Sequence, residues 1–255
     1  MTVVSKLSPF FIVCARNQIM VKEKIIELEQ LDVPFIIICG EKVEHSKVIY
    51  RETLGKWDAI NFGIQFVPIE FNVIVFNDVD NRIVNFKQAL DSINEGIDVL
   101  YCRISVSNGP QLKFYKLIDP LRSRFHIAAN GDLMILRRDV LDAVLPIPPC
   151  IAEDSYILFK ALELGYRAHF STRTYVTTEK SSNARLEEVY KTRTTLGLYQ
   201  VLKYTKPPLF IRLFYSLLPV FAPMLFFAGE DGRAWARGIE KAINARFKRI
   251  SPTKF

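Results

Sequence analysis

The chain has 255 residues, of which 49% are hydrophobic and 24% charged. That balance excludes a disordered chain and allows one large α/β domain with an appendage. A net charge of +7 calls for an anionic partner: nucleotide phosphate, nucleic acid or anionic lipid.

Pro9 to Arg16 reads as a first strand, and its apolar run from Phe10 to Cys14 is too short for an export signal. Gln18 to Gln30 carries Ile19, Ile25, Ile26 and Leu28 at helical spacing. Pro34 to Cys39 is a second buried strand stopped by Gly40, and Val48 to Arg51 a short third. Lys56 to Val67 is helical, with Ala59, Ile60, Gly63, Ile64 and Val67 on one stripe.

Phe71 to Asp78 is a continuous apolar run ending in Asp78-Val79-Asp80, as a strand buried on both faces of a parallel sheet would. The two carboxylates then share a face at the carboxyl edge, where open α/β sheets bind ligands. Such a pair suits a hard divalent cation bridged to phosphate. Taken alone, such a pair is more often just an Asp/Asn-rich turn after a strand.

Val84 to Ile93 follows as a helix, Asp98 to Val106 as a strand, Pro110 to Phe125 as a stretch that starts helical, Asp132 to Leu136 as a strand and Arg138 to Val144 as a helix. Pro146, Pro148 and Pro149 force an extended segment that delivers Glu153-Asp154 to the start of a helix running to Leu164. Tyr166 to Phe170 and Thr174 to Thr178 read as two strands, and Arg185 to Lys203 as a long basic amphipathic stretch. Strand and helix alternate, which argues for βαβ units and a mostly parallel sheet.

Leu209 to Ala228 is almost unbroken in its apolar side chains but contains Pro219 and Pro223. Its length suits a bilayer span. Both flanks are basic and want the cytoplasmic side, so the expectation is a Pro-bent element that re-enters or lies on the membrane, with the tail from Gly229 to Phe255 on anionic headgroups. This divides the chain into a catalytic domain, 1–205, and a membrane-associated segment, 206–255. The four cysteines, Cys14, Cys39, Cys102 and Cys150, lack a C-x-x-C pair and read as buried reduced thiols; His45, His126 and His169 show no metal-ligand spacing.

Four further stretches could join Asp78 and Asp80. In Gly55-Lys56-Trp57-Asp58-Ala59-Ile60-Asn61-Phe62-Gly63, small residues allow close packing, and Lys56 and Asn61 would reach a diphosphate or sugar hydroxyl. Asn130-Gly131-Asp132 offers close main-chain approach to a ligand. Glu153-Asp154 offers a positioned carboxylate for proton abstraction; with an ordinary pKa it is ionised at neutral pH. Lys191 to Gly197 adds cations, and also reads as a solvated helix face.

In their order these motifs resemble the family 2 glycosyltransferases of GT-A fold: a strand ending Ala15-Arg16-Asn17, G-K-x-x-A-x-N-x-G, D-x-D, N-G, E-D before a helix closing Leu164-Gly165-Tyr166-Arg167-Ala168, and a late R-x-x-x-G from Arg193 to Gly197. The apolar segment after them is similar to the membrane-bound branch, cellulose-synthase-like and dolichol-phosphate-sugar enzymes, and within it to small archaeal-type mannosyltransferases of lipid-linked glycan assembly. The resemblance implies an α/β, Rossmann-like GT-A fold with helices on both sheet faces. It implies that Asp78 and Asp80 hold Mg2+ or Mn2+ on the donor diphosphate. Asp154 would be the base, Ala15, Arg16 and Asn17 would line the nucleoside pocket, and Lys56, Asn61 and Asp78 would also contact the donor. Asn130, Gly131, Glu153 and Arg193 would shape the acceptor and diphosphate site. The implied reaction is inverting transfer of one sugar, mannose from GDP-mannose, to a dolichol- or polyprenyl-linked glycan on the cytoplasmic membrane face, with anionic lipids as partners and no nucleic acid.

Two departures stand out. The family's second strand ends Asp-Asp-Gly; here it ends Ile38-Cys39-Gly40-Glu41, leaving Glu41 as the candidate reader of the base. The Q-x-x-R-W of processive members is absent, its positions holding Tyr190, Arg193 and Thr194, which favours one sugar per acceptor over polymer synthesis. Alternatives are transfer from a UDP-sugar to a polyprenyl phosphate or other lipid, a nucleotidyltransferase, and a basic lipid- or nucleic-acid-binding module.

Overall fold

The structure, a computed structural model, describes residues 7–52, 54–106, 111–178 and 184–245. Among these, eight strands form one sheet: β1 (Pro9–Ala15), β2 (Phe35–Cys39), β3 (Val48–Tyr50), β4 (Val73–Asp78), β5 (Asn81–Val84), β6 (Val99–Val106), β7 (Leu133–Arg137) and β8 (Ala168–Thr178). Their spatial order is β3-β2-β1-β4-β7-β6-β8-β5. Neighbours β1–β2, β2–β3, β1–β4 and β6–β8 are parallel. β7 runs antiparallel between β4 and β6, and β5 antiparallel to β8. The sheet is thus mixed and mostly parallel.

The helices are α1 (Val21–Gln30), α2 (Lys56–Gly63), α3 (Phe86–Asn94), α4 (Gln111–Phe125), α5 (Arg138–Val144), α6 (Glu153–Glu163), α7 (Ala184–Tyr204), α8 (Leu209–Phe221) and α9 (Gly229–Ala245). They cover both faces, which is why the central strands are apolar throughout. Phe11, Val13, Val73 and Val75 pack against α1 and α3 through Leu28, Phe86 and Ile93. Ile12, Ile74 and Phe76 pack on the other face against α2, α5 and α6 through Ile60, Leu141 and Phe159. Each such side chain, once fully buried, contributes about 1.5–3 kcal/mol. Gly63 lets α2 lie close, since a Cβ there would sit 3.0 Å from Ile12 Cγ2 and 3.2 Å from Ile38 Cγ1.

The strand order explains where boundaries differ from expectation. β5 had no signal of its own: four residues leave the Asp78–Asp80 turn and pair with the end of β8. The helix expected from Val84 therefore starts at Phe86, after Asn85 turns the chain at φ 59°. The two strands expected from Tyr166 to Thr178 are one, with a register jump where Cys102 pairs with Ser171 and Arg103 with Tyr175.

At the C-terminal end, Leu209–Phe227 is the one helical segment among the described residues long and apolar enough to cross a membrane. It consists of α8 and a following 3-10 stretch, Ala222–Phe227. Ile211, Tyr215 and Ala222 are buried against the domain, whereas Leu209, Leu213, Leu217, Val220, Met224 and Phe227 form an exposed stripe at three- and four-residue intervals. The part of the expected headgroup-facing tail that is described, residues 229–245, is a helix with its apolar face already covered. Ala234, Trp235, Ile239 and Ala242 of α9 are buried, and Gly238 brings it so close to α7 that a Cβ would lie 2.7 Å from Glu188 O. Arg233, Arg237 and Lys241 stay on its exposed side. Residues 246–255 of that tail lie outside the described residues.

Candidate active site

Adjacent residues on a strand point to opposite faces, and at the end of β4 this separates two jobs. Asp78 follows Phe76 onto the α2 and α6 face and meets Lys56 Nζ at 2.6 Å. Lys56 opens α2 and also reaches Glu153 Oε1 at 3.3 Å and donates to the Gly131 carbonyl at 2.7 Å. Burial opposes its charge, but Asp78 and Glu153 outweigh that and hold the ammonium well above its ordinary pKa.

Asn77 points the other way, to α1, and accepts from Lys24 Nζ at 2.8 Å. Lys24 is 2% exposed. It also donates to Glu27 Oε2 at 2.7 Å and to the Asn81 carbonyl. The side chains of Asn77 and Asn81 bond each other at 2.7 Å and both donate to the Asp132 carbonyl, at 2.6 and 2.9 Å. One buried network therefore ties both ends of the Asp78–Asn81 turn to the start of β7.

That tie brings a third carboxylate to the pair. One oxygen each of Asp78, Asp80 and Asp132 lie within 4.8 Å of one another. Three hard oxygen ligands of this kind fit Mg2+ or Mn2+ and suit softer metals poorly. Burial, with Lys56 opposing it, pushes the Asp78 carboxyl up to about 6, and a bound cation would reverse that cost.

Asp154 lies on the first turn of α6. Three hydrogen bonds to main chain fix the segment before it: Asn61 accepts from Ile147 N–H at 2.9 Å and donates to Ile147 O at 2.8 Å, and Gln200 of α7 accepts from Ile151 N–H at 3.1 Å. Gly197 of α7 comes so near that a Cβ would lie 2.9 Å from Ala152 Cβ and 3.0 Å from Ala152 N. Asp154 Oδ1 accepts from Ser155 N–H at 2.6 Å. Burial, then repulsion from Glu153, pushes its carboxyl up to about 7, so it is not the ordinary, fully ionised aspartate that its sequence context suggests. Gly131 faces it across the site: a Cβ there would lie 2.9 Å from Lys56 Nζ, 3.3 Å from Glu153 Oε1 and 3.4 Å from Asp154 Oδ2.

Eight of the residues singled out in the sequence, Lys56, Asp78, Asp80, Asn130, Gly131, Glu153, Asp154 and Arg193, line one cavity of about 560 Å3. Ala15, Arg16, Asn17 and Glu41 are not in its lining. They gather beside one another at the ends of β1 and β2, where Glu41 Oε2 accepts from Gln18 N–H at 3.0 Å and Gly40 N–H donates to Ala15 O at 3.0 Å. Asn61 is also absent from the lining, because Ile147 occupies both ends of its amide.

Sequence reasoning missed Asp132 as a ligand, although the N-G-D run contained it, and missed Lys24, Asn77 and Asn81 altogether. It also missed the cavity's far wall. Leu121 and Ile127, Phe214 and Leu218 of α8, Leu225, and Ile239 of α9 extend the lining away from the carboxylates with apolar side chains.

No protein-family model matches the sequence, and no curated protein sequence matches it significantly. Solved structures do. The mannosyltransferase PcManGT from Pyrobaculum calidifontis, in complex with GDP-Man and Mn2+, superposes with a TM-score of 0.64 at 17% identity, over 96% of this chain and 82% of its own. GalNAc-T7 with UDP, GalNAc and Mn2+ gives 0.52 at 13% identity, over 89% of this chain and 58% of that one. A mycobacterial protein gives 0.52 at 12% identity, over 74% and 73%. At such identities the likeness is one of architecture: the chain has the GT-A fold, a Rossmann-like, mostly parallel sheet with helices on both faces.

Proposed function

We propose that this chain is a metal-dependent glycosyltransferase. It moves one sugar from a nucleoside diphosphate sugar to a lipid-linked acceptor at a membrane surface, with inversion at the anomeric carbon. The observation that carries the reading is the single cavity in which three clustered carboxylates and Asp154 sit at one end and apolar walls from α4, α8 and α9 form the other. A polar reaction centre that opens onto hydrocarbon-lined space suits an acceptor with a polar head on an apolar chain.

Asp78, Asp80 and Asp132 would hold Mg2+ or Mn2+, which when bound supplies positive charge to the departing diphosphate. Lys56 adds a fixed cation beside them. Asp154 takes the proton of the acceptor hydroxyl, with Oδ1 anchored on the Ser155 N–H and Oδ2 turned toward Gly131. Glu153 stays paired with Lys56 and keeps it in place. Ala15 to Asn17 and Glu41 form the nucleoside end. Arg193 lies on the cavity rim, exposed to the acceptor's path. The two similar transferase structures carry GDP-Man or UDP together with Mn2+. GDP-mannose is the leading donor and a UDP-sugar the second.

The exposed stripe of α8 and the 3-10 stretch lies on the membrane, with Arg233 and Arg237 of α9 available to anionic headgroups. The stripe supports reading the chain as a member of the membrane-bound branch, with the catalytic domain on the cytoplasmic side.

The test is thermal stabilisation of the detergent-solubilised protein by Mn2+ with GDP-mannose, UDP-glucose or other donors, using Asp80→Ala as the control. The expected result is a metal-dependent shift with one donor that the variant lacks. No shift with any donor sinks the transferase reading. Flotation with anionic vesicles, lost in a Leu213→Glu, Leu217→Glu protein, checks the membrane face.

A further inference from the structure

Two hydrogen bonds meet at Tyr215, which faces the domain from the middle of α8 and is 3% exposed. Its hydroxyl donates to Ile127 O at 2.7 Å, and its carbonyl accepts from the Tyr199 hydroxyl of α7 at 3.0 Å. That carbonyl is open to Tyr199 because Pro219, four residues on, has no N–H to give it. A buried phenol needs an acceptor. Tyr215 therefore pins α8 to one point of the main chain, where a Phe would only pack.

Ile127 opens the run 127–132 that leads into β7. The run is neither helix nor strand, and side chains of other elements hold its main chain. Ser155 of α6 accepts from Ala129 N–H at 3.2 Å, and Lys56 of α2 donates to Gly131 O at 2.7 Å. Asn77 and Asn81 hold the Asp132 carbonyl, and the Asp132 carboxylate meets Asp78 and Asp80. One end of the run is thus fixed by α8, the middle by the helix that carries Asp154, and the other end by the metal-binding turn.

α8 itself has two faces at work. Phe214 and Leu218 line the cavity, while Leu213, Leu217 and Val220 belong to the exposed stripe. A shift of α8 by about 1 Å would break a 2.7 Å hydrogen bond unless Ile127 followed.

We propose that Tyr215 is a positioning residue through which docking of α8 on a lipid surface sets the 127–132 run, so that the metal and the donor nucleotide bind more tightly at the membrane than in solution, before any acceptor arrives. This rests on the membrane-docked transferase reading above and adds how its site is regulated. A surface can shift the run only by favouring one placement of α8 over others. The stripe supplies that preference, since its burial in hydrocarbon depends on how α8 is turned.

The test is titration of the full chain, diluted out of detergent, with GDP and UDP at saturating Mn2+. It is run with and without phosphatidylcholine–phosphatidylglycerol vesicles that contain no acceptor. The wild type is expected to float with the vesicles and to bind its preferred nucleotide at least about fivefold more tightly in their presence. Tyr215→Phe should float as well but lose that gain, whereas a merely structural role would lower affinity equally with and without lipid. Tyr199→Phe, which loosens the same residue from α7, gives the second reading and should also reduce the gain. Equal affinity with and without vesicles in a wild type that floats overturns the proposal, as does the full gain in a folded Tyr215→Phe. Failure of the underlying readings looks different: a wild type that does not float removes the membrane and this proposal with it, and one that binds neither nucleotide under either condition removes the transferase.

Discussion

Asn77 and Asp78 are neighbours on β4 whose side chains leave opposite faces of the sheet, one taken by Lys24 at 2.8 Å and the other by Lys56 at 2.6 Å. The Lys24 side anchors the metal-binding turn at its two ends, through the Asn77 side chain and the Asn81 carbonyl. Lys24→Met should leave Asn77, Glu27 and the Asn81 carbonyl short of a buried donor, which costs about 3–5 kcal/mol when a buried charged partner is removed. Urea unfolding measures that loss. Mn2+ affinity should fall by about 10–100-fold, as for other supporting partners of metal ligands. Unchanged Mn2+ affinity in a folded variant would show that the turn holds its shape unaided.

Asp132 is expected to be the third ligand. Its carbonyl, which receives Asn77 and Asn81, is unaffected by Asp132→Asn. The substitution should therefore spare the fold and lower Mn2+ affinity by at least about tenfold. Manganese titration followed by electron paramagnetic resonance reads this directly. Wild-type affinity in Asp132→Asn would confine the metal to Asp78 and Asp80.

The contrast between Asp78 and Asp132 shows what a single sequence makes legible. The run Val73 to Phe76 is apolar because both sheet faces are covered, so strand, edge and the carboxylate pair could all be read locally. Asp132 reaches them only because β7 enters antiparallel between β4 and β6, and short apolar runs carry no sign of direction. Lys24 looks like one more charge on the outer face of α1, yet that face turns to the Asn77 side chain and is buried. Asn61 fails for the opposite reason: its spacing suggested a ligand, but an amide offers a donor and an acceptor, and Ile147 takes both. The helix at 229–245 read as part of a basic tail because Lys and Arg outnumber Asp and Glu seven to three from Gly229 to Phe255, but within the helix the charges balance, and Ala234, Trp235, Ile239 and Ala242 decide its packing.

Gly197 is expected to matter through the backbone it admits. An added Cβ would lie 2.9 Å from Ala152 Cβ and 3.0 Å from Ala152 N, and the main chain just before Glu153 has no flexible end to yield. Gly197→Ala should cost about 1–3 kcal/mol as overpacking despite Ala's better helix propensity. It should also lower kcat more than it raises donor KM, because it displaces Asp154 and leaves the carboxylate triad alone. A KM effect without a kcat effect would remove α7 from the positioning of the base.

Asp154 gives a prediction in pH with a definite sign. Its folded value, about 7, lies above the ordinary 3.8, so the folded chain binds this proton more tightly than the unfolded chain does. The stability that the proton confers is complete below about pH 4 and is lost as pH rises to 7. Asn imitates the protonated carboxyl. Asp154→Asn should therefore melt above the wild type at pH 8, with a difference that shrinks on acidification and vanishes near pH 4, while transfer is abolished at every pH. In the wild type, kcat/KM should rise with pH as the base ionises, with its inflection at or below 7, since bound metal adds positive charge nearby. Melting curves and initial rates from pH 5 to 9 measure both. A variant that transfers sugar at the wild-type rate excludes Asp154 as the base, and equal melting temperatures at pH 8 would mean that its carboxylate carries no burial cost.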